Sequence, residues 1–346
     1  MKKIIAGLVV LVLGTGMSAA AGLDVSLSGP QAKNDYGSGK IAYALTNSSG
    51  TTLHVLRRQT PLGGLTGKLF DVTKNGVKVD YVGPIYLYLP PTAADYVELK
   101  PGETLATEID LTAYYDMKGG GQFEVRYARD ARDVVKEAGE AAKAGVTAGY
   151  LDFDRKGAAS IWVDAAVDAL DVSENASYRG DAGFKAGAGV LAASNTFEMC
   201  TTTQKAEIAS ARIVATNYAR DAKAYMDAGK RGSRYTASFG GYNENKYKTI
   251  KGKFQKIYTK LSSKSMIFNC GCNGSDAVAY VINSAPQIFL CSPFWEMGIE
   301  GYYAKAGVLV HETSHLKDGG NTDDVNPLWN NAYSYHGFAV NEARLD

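Results

Sequence analysis

The sequence predicts two units of different class: an all-β sandwich, then an α+β domain in which helices surround a small sheet. Three observations predict this. From Leu23 to about Tyr127, short alternating runs such as "GKIAYALTN" and "GQFEVRYAR" are separated by turn signals, of which Asn75-Gly76 and Pro101-Gly102 are the plainest. Runs recurring roughly every 8–12 residues read as strands of an antiparallel sandwich. From Thr196 onward apolar residues recur at helical spacing instead. All four cysteines, Cys200, Cys270, Cys272 and Cys291, lie in this second part.

Taken in order, residues 1–21 read as a signal peptide. "MKK" is a positive n-region, "IIAGLVVLVLGTGM" an apolar h-region, and "SAAAG" a small-residue cleavage site after Ala20 or Ala21. The apolar run is shorter than the ~20 residues a spanning helix needs. The expectation is a secreted, extracellular protein that no membrane holds. Residues 22–170 form the sandwich, with an exposed helix over about 129–144 and a returning strand in "ASIWVDAAVDAL" (159–170). His54 sits in the alternation of "TLHVL" as a strand residue. The stretch 171–195 is small, polar and glycine-rich, the composition of a linker open to proteolysis. In 196–346, "TTTQKAEIASARIVATNYARDAKAYMDAG" predicts a helix between a Thr start and a Gly stop. "NKYKTIKGKFQKIYTKL" predicts a second, basic helix and "YYAKAGVLVHETSHLK" a third. "SMIFNC", "AVAYVIN" and "PQIFLCS" predict short strands.

The bulk numbers are ordinary for a globular chain: 346 residues, 45% hydrophobic, 21% charged, net charge +1. This balance gives no electrostatic footprint for nucleic acid. In an exported protein four cysteines imply two disulfides. Cys270 and Cys272 are too close in sequence to be partners, so each pairs with Cys200 or Cys291.

Chemistry concentrates in "HETSH". His311 and His315 lie four residues apart, on one face of the third helix, and two of the chain's four histidines thus share one cation. Glu312 is displaced about 100° round the helix, near enough to reach a water on that cation. This is the H-E-x-x-H arrangement of a zinc hydrolase. Catalytic zinc takes three protein ligands and a water. A third histidine six residues on is excluded, because that position is Asn321, and Glu342 sits almost at the chain's end. The acid-rich turn "GGNTDD" remains, so Asp323 or Asp324 folds back as the oxygen ligand, the paired glycines allowing a tight reversal.

These residues resemble the aspzincins, the family of deuterolysin and peptidyl-Lys metalloendopeptidase. In that family the third ligand is the Asp of a G-T-x-D element nine residues after the second His. The matching residue is Asp324, although Asn321 stands where the family has Gly. "YTASFGGYN", "FNCGCNGSDAVAYVI", "IFLCSPFWEMG" and "KAGVLVHETSHL" resemble family segments in family order, and "RRQTPLGG" with "VDYVGP" resembles the pro-domain ahead of some members. The resemblance implies a secreted zinc endopeptidase made as a proenzyme. Its metal ligands are His311, His315 and Asp324 on one Zn2+ per chain, its base is Glu312, and its disulfides are Cys200–Cys270 and Cys272–Cys291. Its partners are peptide or protein substrates and its own pro-domain, an intramolecular inhibitor and folding aid. A monomer is expected, and an exotoxin role is compatible with the family.

The chain also departs from the family. Pro327 occupies the place of the oxyanion-stabilising Tyr, which leaves Tyr333 and Tyr335 as candidate catalytic donors, with His336 beside them. Tyr333 and His336 also replace the two carboxylates with which the family binds lysine, so His336 is a candidate pocket residue. The alternative is a relative that binds zinc, turns over weakly and acts as a binding protein.

Overall fold

A computed structural model of the chain describes residues 22–30, 35–130, 134–135, 152–165, 195–282 and 285–346. The signal peptide expected over 1–21 lies outside them. So do the linker expected over 171–195, except Asn195, and most of the helix expected over 129–144. The described chain divides into two units. Among the described residues no helix is long and apolar enough to cross a membrane.

Period-two alternation builds the first unit. It holds β1 (Gly22–Ser28), β2 (Lys40–Asn47), β3 (Leu53–Leu56), β4 (Phe70–Lys74) and β5 (Val77–Lys78). The strand β6 (Pro84–Tyr88) leaves it, and β7 (Tyr96–Leu99), β8 (Thr104–Asp110), β9 (Gly121–Tyr127), β10 (Asp152–Lys156) and β11 (Ala159–Val163) return to it. Two four-stranded sheets form, in the orders β10-β1-β2-β8 and β11-β9-β4-β5, with β3 and β7 as a separate pair. Ile41, Tyr43 and Leu45 of β2 are buried, as are Phe123, Val125 and Tyr127 of β9. The Tyr43 ring reaches across to Phe70 (6.4 Å between centroids) and Tyr127 (5.4 Å), so the two inner faces meet as a sandwich. One pairing departs from the antiparallel expectation, because β1 and β10 run parallel. A strand arriving from far along the chain is not bound to the antiparallel direction that a hairpin imposes.

The second unit combines helices with a five-stranded sheet. Its further strands are β12 (Asn195–Glu198), β13 (Met266–Cys272), β14 (Ala277–Ile282) and β15 (Ala285–Cys291), in the order β12-β13-β15-β14-β6. Its helices are α1 (Thr202–Asp227), α2 (Ser233–Phe239), α3 (Glu244–Ser263), α4 (Ser292–Glu296), α5 (Lys305–His315) and α6 (Ala332–Val340). The edge strand β6 lies inside the segment 22–170 yet belongs to this sheet, running antiparallel to β14 from Pro84 opposite Ile282 to Tyr88 opposite Ala277. Tyr86 stacks on Tyr280 (4.5 Å), which stacks on Phe289 (4.4 Å), so three aromatic rings tie β6, β14 and β15 together.

Helix α1 starts at Thr201, whose hydroxyl accepts from the backbone N–H of Gln204. Its buried stripe is Ile208, Ala211, Ala215, Ala219, Ala222 and Met226. Alanines at this spacing let α3 and α5 approach closely, while α3 answers with Tyr247, Ile250, Phe254, Ile257 and Leu261. All eleven residues of α5 are buried, the polar ones included. The cysteines pair as Cys200–Cys270 and Cys272–Cys291, joining α1's start to the sheet and β13 to β15.

Arg212 is fully buried and serves the end of α3. It donates to the carbonyls of Leu261 (2.9 Å), Lys264 (2.6 Å) and Lys260 (3.4 Å), and to Asn195 Oδ1. A buried helix end needs such partners for its last carbonyls. Arg212→Met strands them, at a cost of about 3 kcal/mol. The urea midpoint of Arg212→Met is therefore expected well below that of the parent. Equal midpoints would show that those carbonyls find other partners.

Candidate metal centre

The end of α5 and the turn after it are folded onto each other. The backbone N–H groups of Gly319, Gly320 and Asn321 all donate to the Leu316 carbonyl (2.8–3.0 Å), and that of Thr322 donates to Ser314 O (3.0 Å). A Cβ on Gly319 would lie 1.9 Å from Thr313 O, and one on Gly320 2.8 Å from Ser314 O, so no larger residue fits either position. Asn321 has φ 54°, a left-handed conformation that asparagine tolerates better than most residues. Asparagine at 321 is therefore compatible with this turn.

The turn delivers Asp324 to the two histidines. His311 Nε2 and His315 Nε2 are 3.1 Å apart, and Asp324 Oδ1 lies 3.3 Å from the first and 3.4 Å from the second. A tetrahedral zinc bound at 2.0–2.1 Å puts neighbouring ligand atoms about 3.3–3.4 Å apart, so the three atoms fit such an ion. His315 Nδ1–H donates to Thr322 O (2.9 Å), which leaves Nε2 with its lone pair toward the shared point. Ser314 Oγ donates to His311 O (2.7 Å), and Thr322 Oγ1 donates to Ser314 Oγ (2.7 Å). Among the described residues His311, His315 and Asp324 are the group suited to a metal. Asp323, the other candidate, points elsewhere: its carboxylate accepts from Asn330 Nδ2 at 3.3 Å.

Burial and charge separate the titrations. Burial would raise Asp324, but the two imidazoles hold it well below the usual carboxylate range. Burial pushes His311 down, with Asp324 opposing. Burial also lowers His315, but Asp324, Glu312 and the Thr322 carbonyl outweigh it and carry the ring up to about 9. Glu312 has neither oxygen hydrogen-bonded among the described residues, and burial pushes it up to about 8.

Helix α6 sorts the remaining candidates. Residues three apart share a helix face, so Tyr333 and His336 both turn toward α5. The Tyr333 ring lies 4.6 Å from His311 and is 37% exposed. His336 lies 5.9 Å from His311 but is buried. Its Nε2–H donates to Tyr302 O (2.9 Å), and its ring stacks on Tyr302 at 4.4 Å. Burial and the neighbouring His311 push His336 down to about 3. Its ring braces the interior beside the site, where the sequence suggested a substrate pocket. Tyr335, the other candidate donor, lies elsewhere. It points away from the metal group, fully buried against Phe254 (5.0 Å) and Phe239 (5.2 Å), and its hydroxyl donates to Trp329 O (2.7 Å). Sequence reasoning missed Thr322, which orients His315, and Lys253. Lys253 donates from α3 to the carbonyls of Gly320 and Asn321. A threonine within the turn after H-E-x-x-H was the available signal for the first.

Two imidazoles and a carboxylate at one buried point, with a glutamate beside the first imidazole, define the class of H-E-x-x-H metallohydrolases. The aspzincin family profile, described as lysine-specific metallo-endopeptidase, matches residues 224–343. An extracellular protease of Aeromonas hydrophila is 32% identical over 309 residues, covering 88% of this chain and 84% of its own length. A peptidyl-Lys metalloendopeptidase of Grifola frondosa is 27% identical over 327 residues, covering 90% of this chain and 86% of its own. A solved zinc peptidase from Grifola frondosa is 25% identical and covers 42% of this chain and 100% of its own, with a TM-score of 0.40. The chain belongs to the aspzincin family and is a metalloendopeptidase.

The raised Glu312 carries a stability consequence in the metal-free protein. Folded, it keeps its proton up to about pH 8; unfolded, it releases it near the ordinary 4.5. Glu312 alone then holds an extra proton across that window, so its own contribution to stability falls as pH rises from 4.5 to 8, opposed up to about pH 6.5 by the lowered His336 and His311. Above pH 6.5 His315, raised to about 9, adds a fall of the same sign. In chelator-treated protein, urea midpoints of Glu312→Gln are expected to rise more steeply with pH than those of the parent over the lower part of the window. Parallel pH curves for parent and variant would contradict this.

Proposed function

We propose that the chain is a secreted zinc endopeptidase made as a proenzyme. His311, His315 and Asp324 would hold Zn2+, and Glu312 would serve as the base. The observation that carries this reading is the convergence of three ligand atoms within 3.1–3.4 Å beside a buried glutamate. Zinc bound there supplies Lewis acidity to the scissile carbonyl and to the attacking water.

The chain's own groups do the rest. Glu312 takes a proton from the water as its oxygen bonds to the peptide carbon, and gives that proton to the amine as the C–N bond breaks. Its carboxylate, buried and with neither oxygen hydrogen-bonded among the described residues, is free to hold the proton between the two steps. Tyr333, half-exposed at the edge of the site, donates its hydroxyl to the developing oxyanion. Lysine preference, if kept, needs carboxylates other than the two that the family resemblance points to. The two positions where the family resemblance puts carboxylates hold Tyr333 and a buried, neutral His336, and neither offers a negative charge to an ammonium.

The sandwich unit would act as pro-domain. Sheet edges accept extended peptides by main-chain pairing, and β6 takes the β14 edge antiparallel, as a bound peptide would. Helix α5 packs on β14, which supports a substrate path along that edge. Cleavage within 171–195 would separate the pro-domain segment from the catalytic one. Lys185, the lysine in that stretch, is a candidate position for self-cleavage only if lysine preference is retained.

Full-length parent, Glu312→Ala and Tyr333→Phe, purified in parallel, test the reading. Only the parent is expected to shorten and digest casein at full rate. Glu312→Ala should do neither, and Tyr333→Phe should lose roughly 100-fold in kcat, the scale of one oxyanion donor. Maturation of Glu312→Ala in isolation would refute self-cleavage. A parent that carries zinc yet never hydrolyses casein would point to the weakened, zinc-binding relative.

A further inference from the structure

Two lysines on one face of α3 hold the turn that carries the third ligand. Lys260, two helical turns after Lys253, pairs with Asp318 at 2.8 Å. Lys253 does more. An ammonium has three donors and no acceptor, and the three acceptors here are Gly320 O (2.8 Å), Asn321 O (3.0 Å) and Asn330 Oδ1 (2.7 Å). The first two lie on the limb leaving α5, and the third lies on the limb returning to α6. Lys253 thus closes the loop across both limbs, with Thr322, Asp323 and Asp324 between them.

The third acceptor bears on which aspartate meets the histidines. Asn330 accepts from Lys253 through Oδ1 and donates through Nδ2 to Asp323 (3.3 Å). Backbone pairing fixes the same contact, since Asp323 N donates to Asn330 O and Ala332 N donates to Asp323 O, both at 2.8 Å. Asp323 is thereby drawn to the α3 side, and Asp324, the next residue, faces His311 and His315.

We propose that Lys253 is a positioning residue that, through Asn330, sets the register of the Asp323–Asp324 pair, so that Asp324 rather than Asp323 completes the metal centre. The proposal rests on the metal-binding reading above. Neither Lys253 nor Asn330 touches the metal or substrate. Their effect passes through the loop to Asp324.

The test uses the full-length chain and reads metal binding directly. Zinc affinity is measured by chelator competition, and Co2+ is added to metal-free protein to record its ligand-field spectrum. Lys253→Met and Asn330→Ala are expected to weaken zinc roughly 10- to 100-fold, the usual scale for groups that orient ligands, and to change the cobalt spectrum. Lys248→Met, on the exposed face of the same helix, should change neither. A merely structural role for Lys253 would lower stability and leave the spectrum of the folded fraction intact. If Lys253→Met does not fold, Asn330→Ala decides. Parent-like affinity and spectrum in either folded variant overturn the proposal. A parent that takes up neither metal overturns the metal-binding reading, and the proposal falls with it.

Discussion

A carboxylate and two imidazoles can share one dry point only if the backbone that carries them is fixed beforehand, because each group gives up its water before it gains its partner. Here the fixing is done by the return of the chain onto its own helix. The last turn of α5 offers the carbonyls of Leu316 and Ser314 to the N–H groups of residues 319–322, and the two glycines leave room for that contact. Asp324 then meets His311 and His315 from the one direction they leave open. The surrounding architecture serves this turn. Helix α5 is buried on every side, the alanine stripe of α1 allows it to be, and α3 grips the turn from outside through Lys253 and Lys260.

The same burial assigns different chemistry to neighbouring groups. Asp324 has two imidazoles in contact and keeps its charge; Glu312, on the same helix turn as His311, has no hydrogen-bond partner among the described residues and rises to about 8. Two carboxylates a few ångströms apart are thus prepared for opposite tasks, one as a fixed anion and one as a proton carrier. His336 completes the contrast. Burial and the neighbouring His311 outweigh the pull of Asp324, so it stays neutral and supports the site by stacking on Tyr302.

Much of this was legible in the sequence because it follows from short periods. His311 and His315 share a face because they are four apart, and the alternation of β2 and β9 already marked their buried sides. The tyrosine and histidine of "AYSYHG" were less legible because the segment was not read as a helix. Once α6 is known, three-residue spacing puts Tyr333 and His336 together and sends Tyr335 into the aromatic core. The choice between Asp323 and Asp324 was closed to local reading, since it depends on Lys253 some seventy residues earlier in the chain. The crossing of β6 into the second sheet was equally hidden: an edge strand is chosen by the partner that pairs with it, and that partner lies nearly 200 residues downstream.

The account stands on the convergence of His311, His315 and Asp324 on one ion. The most direct measurement is the zinc content of purified parent, Asp323→Ala and Asp324→Ala after dialysis against metal-free buffer. The account predicts about one zinc per chain in the parent, retention in Asp323→Ala and loss in Asp324→Ala. Zinc kept by Asp324→Ala and lost from Asp323→Ala would contradict it.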